Sequence, residues 1–161
     1  MKNNAIRKTL PENLDELLDV AAETGDYGPV YSVLEQCNPD ARGGNRKGTL
    51  LMNRRCTEEL ARWAIERGTD IHATDRWGNT ALHTCARSRN RYMLTATQLI
   101  DLGADVHRTS SKGLTPLHSA VDGTTLNAVK SLLEHGAHVH ARSPDDQSPL
   151  ESGLLRMSNI D

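Results

Sequence analysis

Phenylalanine is absent from this chain, and aromatic residues together make up only 3% of its 161 positions. A core must therefore come from Leu, Ala, Val and Ile, which suits thin layers of closely approaching helices better than a thick globule filled with rings. Cysteine is scarce too. Cys37, Cys56 and Cys85 are odd in number, far apart and never in a C-x-x-C pair, which excludes a disulfide framework and fits a reducing compartment. No run approaches the roughly 18 apolar residues of a membrane span. The N-terminal stretch MKNNAIRKTLPENLDELL lacks the apolar core of a signal peptide. The expectation is a cytoplasmic protein with no membrane contact, delivery into another cell being left open.

Charge of one sign is also lacking, since the formal net charge is −2. Its distribution is uneven. Residues 1–40 carry −5, residues 41–91 carry +6 and residues 92–161 carry −3. The bland reading of this basic middle band is an unevenly charged solvated surface; the sharper one is a patch that steers an acidic partner.

What is present is an internal repeat. DRWGNTALHTCA from Asp75 returns as SSKGLTPLHSAV from Ser110, with Thr80 and Thr115 separated by 35 residues. QLIDLGADVH, ending at His107, returns as SLLEHGAHVH, ending at His140, 33 residues on. The two-residue excess falls around Ser88–Tyr92. Fainter copies occur at Gly68–His72, at Ser148–Leu150, and at the start in Leu17–Ala22, Gly25-Asp26 and Val30–Leu34.

Each unit has a local logic. Thr115 is suited to cap a helix, with Pro116 at the first helical position, where a missing N–H costs nothing. Leu117, Ala120 and Val121 then recur on one face, and the small Ala86 and Ala120 admit a close neighbour. A second helix is expected to bury Leu126, Val129, Leu132 and Leu133. Gly68, Gly103 and Gly136 end second helices in the left-handed conformation open to glycine, while Gly78 and Gly113 mark the tight turn before each first helix. One such pair cannot bury its own apolar face, whereas stacked copies can.

The motif Thr115-Pro116-Leu117-His118-Ser119-Ala120 resembles the T-P-L-H-x-A signature of the ankyrin repeat family. Thr80-Ala81-Leu82-His83 lacks only the proline, and Gly103–Val106 resembles the family's repeat ending. The resemblance implies an all-α solenoid of four to five repeats, degenerate caps included, in one domain. Residues 1–12 would be an extension, 13–43 a capping repeat, 44–74 a degenerate repeat, 75–109 and 110–142 full repeats, and 143–161 a partial repeat or cap. The degenerate unit is the discordant one, because its first helix would carry Arg54 and Arg55 where small apolar residues belong. The last unit shows one helix, Pro149–Arg156, and no second.

The resemblance further implies that His83 and His118 fix turns by hydrogen bonding to backbone. His72, His107 and His140 would form a surface row with one member per repeat; at roughly 10 Å per repeat they stand too far apart for bonds of about 2 Å to a single zinc. His135, His138 and His140 are close in sequence, but no H-E-x-x-H or paired C-x-x-C accompanies them, so neither metal nor cofactor is expected. Gly43–Gly48 is glycine-rich and basic, yet lacks the G-x-x-x-x-G-K-[ST] order of a phosphate loop, and reads as a loop between repeats. No catalytic motif is present and no enzymatic activity is expected.

Members of the family commonly bind other proteins on the concave face formed by the turns and first helices. Carried over, that face includes Arg46, Lys47, Arg76, Trp77, Asn79, Ser111, Lys112 and Leu114, with Arg87, Ser88, Asp122 and Gly123 at helix ends. Trp77, set in a turn between Arg76 and Gly78, is the expected anchor, since buried Trp and Arg dominate many interfaces. Its alternative is to lie flat on its own repeat. Trp63, on a second helix, is expected to pack between repeats. The function implied is a monomeric module that binds a partner protein with an acidic surface. An inhibitor or immunity-type protein that blocks a toxin or enzyme is the alternative, and a nucleic-acid binder ranks lower because no stacking aromatics run through the basic band.

Overall fold

A computed structural model describes residues 6–88 and 94–158, with side chains to residue 155. The helices, in chain order, are α1 (Leu14–Thr24), α2 (Gly28–Leu34), α3 (Glu58–Glu66), α4 (Ala81–Arg87), α5 (Ala96–Asp101), α6 (Pro116–Asp122), α7 (Leu126–Glu134) and α8 (Pro149–Ser158). They pair within repeats and stack between them: α6 packs against α4, α7 and α8, and α5 against α7. The inner layer holds α1, α4, α6 and α8, and the outer layer α2, α3, α5 and α7. One apolar core runs through the stack from Leu14 to Ala137.

Threonine writes most of the helix starts. Thr57 Oγ1 accepts from Leu60 N–H, Thr95 from Gln98 N–H and Thr115 from His118 N–H. Second helices end as expected, with Gly68, Gly103 and Gly136 at positive φ, and Gly25 ends the first helix α1 in the same way. Ala86 and Ala120 are fully buried between layers. At the far end of α6, a Cβ on Gly123 would lie 2.1 Å from the carbonyl oxygen of Arg87, so glycine is what lets adjacent inner helices close together.

The stripe expected on α7 is corrected. Ala128 and Leu132 are its buried residues, and Val129 is half-buried, but Leu126 is 81% exposed and Leu133 42%. Leu126 begins the helix and Leu133 lies one residue, about 100°, around from Leu132, so neither points into the preceding layer. On α8, Leu150, Leu154 and Leu155 are likewise exposed.

Two features depart from a purely helical stack. Strands β1 (Arg7–Thr9) and β2 (Cys37–Arg42) form a short parallel pair, held by Arg7 N–H to Gln36 C=O at 2.9 Å and Leu10 N–H to Arg42 C=O at 3.1 Å. In the degenerate repeat, the first helix is reduced to a single 3₁₀ turn, Leu50–Met52. Arg54 and Arg55 therefore sit beyond it, not on an inner helix. Arg55 is released to pair with Asp19, with its Nη2 2.6 Å from Asp19 Oδ2. The sequence excess placed around Ser88–Tyr92 lies, past Ser88, outside the described residues.

Candidate functional site

The turns that precede the inner helices project as fingers, and each is built by one residue. At Asp75, Oδ1 accepts the N–H groups of Trp77 and Asn79, both at 2.9 Å, and Oδ2 accepts from Asn79 Nδ2. Ser110 does the same work with a hydroxyl, accepting from Lys112 and Leu114 N–H. Four positions in step along the chain (Lys47, Gly78, Gly113 and Asp146) have φ between 53° and 74°. Fingers are tied to one another: Arg76 N–H donates to Arg46 C=O at 3.0 Å, and Ser111 N–H to Trp77 C=O at 3.1 Å. At the next finger Pro144 occupies that place, has no N–H to give, and packs its ring over Gly113 instead. Gly43–Gly48 is the finger of the degenerate repeat, closed by Gly43 N–H to Gly48 C=O at 3.0 Å.

His83 and His118 join each finger to its helix and to the next repeat. His83 Nδ1 accepts from Thr80 N–H at 3.2 Å, and its Nε2–H donates to Leu114 C=O at 2.9 Å. His118 repeats this with Thr115 and with Gln147 C=O, at 3.2 and 3.1 Å. Burial holds the His83 imidazole below its ordinary pKa, against the smaller opposing pull of its bond to Leu114 and of Asp75. The neutral tautomer protonated on Nε2 satisfies both contacts.

Between fingers and inner helices lies a groove of about 700 Å³. Of the residues expected on the concave face, Arg46, Trp77, Asn79, Arg87, Ser88, Lys112, Leu114 and Asp122 line it. Lys47, Arg76, Ser111 and Gly123 do not. Lys47 N–H closes its own turn on Gly44 C=O at 3.1 Å, and Ser111 packs against Gly78 while its N–H donates to Trp77 C=O. Arg76 donates to Asn45 C=O at 3.0 Å. Thr84, Ser119 and Ser152, which form part of the lining, were not expected. Their signal was available in their spacing of 35 and 33 residues, but small hydroxyl residues on an inner helix read as packing.

Several lining groups are already engaged. Asn79 braces the finger, and Arg87 Nε lies 3.0 Å from Asp122 Oδ2, an ion pair joining the ends of α4 and α6. Trp77 does not lie on its own repeat alone. It is 43% exposed, with the Arg46 guanidinium 5.6 Å and the Arg76 guanidinium 5.2 Å from its ring centre. Among the described residues, Arg46, Arg76 and Lys112 form no ion pair with a carboxylate. Much of the remaining basic band is neutralised: Arg55 pairs with Asp15 and Asp19, Arg62 with Glu58, and Arg67 with Glu35. Among the described residues of the band, Arg42, Arg46, Lys47, Arg54 and Arg76 have no carboxylate partner, and two of these, Arg46 and Arg76, lie against the Trp77 ring.

Trp63 packs as expected, its ring 5.0 Å from Tyr31, with the Arg67 guanidinium 4.2 Å from the Trp63 ring centre. His107 also meets His138 of the next repeat, with ring centroids 4.4 Å apart and the planes tilted by 30°. Among the described residues, no three His, Cys, Asp or Glu side chains gather as a metal site would require. The three thiols are free and buried; burial raises the pKa of each, pushing Cys85 up to about 12. Among the described residues, no helix is long and apolar enough to cross a membrane.

A stack of paired helices with projecting turns, two of them closed by a Thr–His cap, defines the ankyrin class of helical solenoid. The family profile for ankyrin repeats (three copies) matches residues 18–143, and the chain belongs to that family. No curated protein matches the chain in sequence. Ankyrin repeats are generally protein–protein interaction modules, and the family is typically non-catalytic.

Proposed function

We propose that this protein is a monomeric, non-catalytic cytoplasmic module that holds the acidic surface of a partner protein in its concave groove. Trp77 is the anchor, flanked by Arg46 and Lys112, with Arg76 backing the ring from outside the groove. The observation that carries this reading is the half-exposed tryptophan with two guanidiniums 5.2 and 5.6 Å from its ring centre, on a wall where Arg46, Arg76 and Lys112 pair with no carboxylate among the described residues. Half-exposed aromatic and arginine groups of this kind gain most when a partner completes their desolvation. Three buried free thiols suit a reducing compartment.

The test is affinity purification from the native host with the wild-type chain, Trp77→Ala and Lys112→Glu, read by mass spectrometry. A partner with an acidic surface should be enriched by the wild type and lost by both variants, while their melting temperatures stay close to the wild-type value. Equal recovery by all three would remove the groove from consideration.

A further inference from the structure

We infer that the groove takes a narrow, extended segment of its partner, laid along the stacking axis, with two carboxylates four to six residues apart reaching Arg46 and Lys112 and an apolar side chain between them on Trp77. This rests on the groove being the partner-binding face.

Arg46, Trp77 and Lys112 occupy the same position on three consecutive fingers, 31 and 35 residues apart in the chain. The interfinger hydrogen bonds from Arg76 and Ser111 make those fingers one continuous wall. Adjacent helices in such stacks lie about 10 Å apart, and the lean of Arg46 toward Trp77 shortens one of the two steps, so the charged heads of Arg46 and Lys112 stand roughly 15–20 Å apart. An extended chain covers that span in about four to six residues at 3.3–3.6 Å each. A helix would need ten or more, at about 1.5 Å each, and would bring a cylinder some 10 Å wide into the groove.

The rest of the groove agrees with an extended occupant. The inner helices contribute Thr84, Ser119 and Ser152 to its lining, all small, beside His83 and His118, so a backbone can come close at those three positions. The opposite wall holds the Arg87–Asp122 ion pair, which cancels its own charge. Carboxylates are therefore drawn to the finger wall alone. On the next finger, the position of Lys112 is taken by the exposed Asp145, 33 residues later. The sign reversal confines the acidic residues of the segment to the span between Arg46 and Lys112, which sets their register.

The experiment titrates the full ¹⁵N-labelled chain with two capped eight-residue peptides of the same composition, serine apart from two aspartates and one leucine. One has Asp at positions 2 and 6 with Leu at 4, so that all three side chains share one face of the extended chain; the other has Asp at 2 and 3 with Leu at 4. The indole N–H of Trp77 reports binding, and that of Trp63 serves as the internal control. The spaced peptide should bind about three- to fivefold tighter, the contribution of one solvent-exposed ion pair, and Lys112→Gln should erase that preference. Equal binding of both peptides at Trp77 overturns the extended, spaced segment while leaving the groove as the partner site. Shifts that avoid Trp77, or none from either peptide at millimolar concentration, overturn both.

Discussion

In the repeats that begin at Asp75 and Ser110, a histidine three residues past the cap threonine joins that threonine to the carbonyl of the next finger. In the repeat before them, Met52 holds the same position after Thr49. There the inner helix shrinks to one 3₁₀ turn, and Thr49 Oγ1 is buried without a hydrogen-bond partner. The turn position taken by Gly78 and Gly113 is taken by Lys47, at φ 53°. The degenerate repeat is held by other means: the Arg55 pairs with Asp15 and Asp19, and Thr69 Oγ1 donating to Pro39 C=O at 2.8 Å. In the full repeats, one imidazole performs both the local cap and the tie to the neighbour, so losing it removes helix and link together.

The strongest way to break the comparison is His83→Ala. It strands buried Thr80 groups and the link to Leu114, so stability should fall by about 2–4 kcal/mol, the cost of one or two unsatisfied buried polar groups, read from urea unfolding. The same site sets a pH signature. His83 has its folded pKa below the unfolded value near 6.5. The unfolded state therefore binds more protons in the window below about 6.5, so stability is present above that pH and declines as pH falls toward the folded pKa. His83→Gln should flatten that part of the wild-type profile; an unchanged slope would remove His83 as its source.

Gly123→Ala should cost about 1–3 kcal/mol, because the added methyl group must push the backbone of Arg87 away. An effect below half that range would mean that α4 and α6 separate easily. Met52→His sharpens the contrast from the other side. An imidazole there can accept from Thr49 and donate toward the carbonyl of Asn79, and should add about 1 kcal/mol. The smallest expected effect is Lys47→Gly, a gain of about 0.5–1 kcal/mol from relieving the left-handed backbone, partly offset by the entropy of glycine. Thermal unfolding checks both, and a loss in either case would mean that the degenerate repeat has been repacked around its own residues.

The basic band shows how a correct sequence pattern can mislead about surface. Residues 41–91 carry +6 on paper. Folded, Arg55 and Arg67 face carboxylates of the acidic first repeat, and the charge left on the groove belongs to a few fingertips. Similarly, turns and helix ends were legible as a set, but which residues line the groove between them was not: Lys47, Arg76 and Ser111 do not, whereas Thr84, Ser119 and Ser152 do. The side-chain direction at a fingertip follows from the turn and its neighbour, not from position in the repeat.

What the sequence by itself determined is everything set within about one turn of chain: the Thr caps, the Gly terminators, the Asp or Ser that closes each finger, and the periodicity of about 33 residues that makes stacking the way to bury Leu and Ala faces. What only the tertiary structure decided is everything that depends on neighbours roughly 30 or more residues away. The β1–β2 pair, the 3₁₀ turn, the His107–His138 contact and the cations around Trp77 are all of this kind. Local chemistry is encoded in adjacent residues, whereas charge pairing and groove lining depend on where the stack sets each side chain against the next repeat.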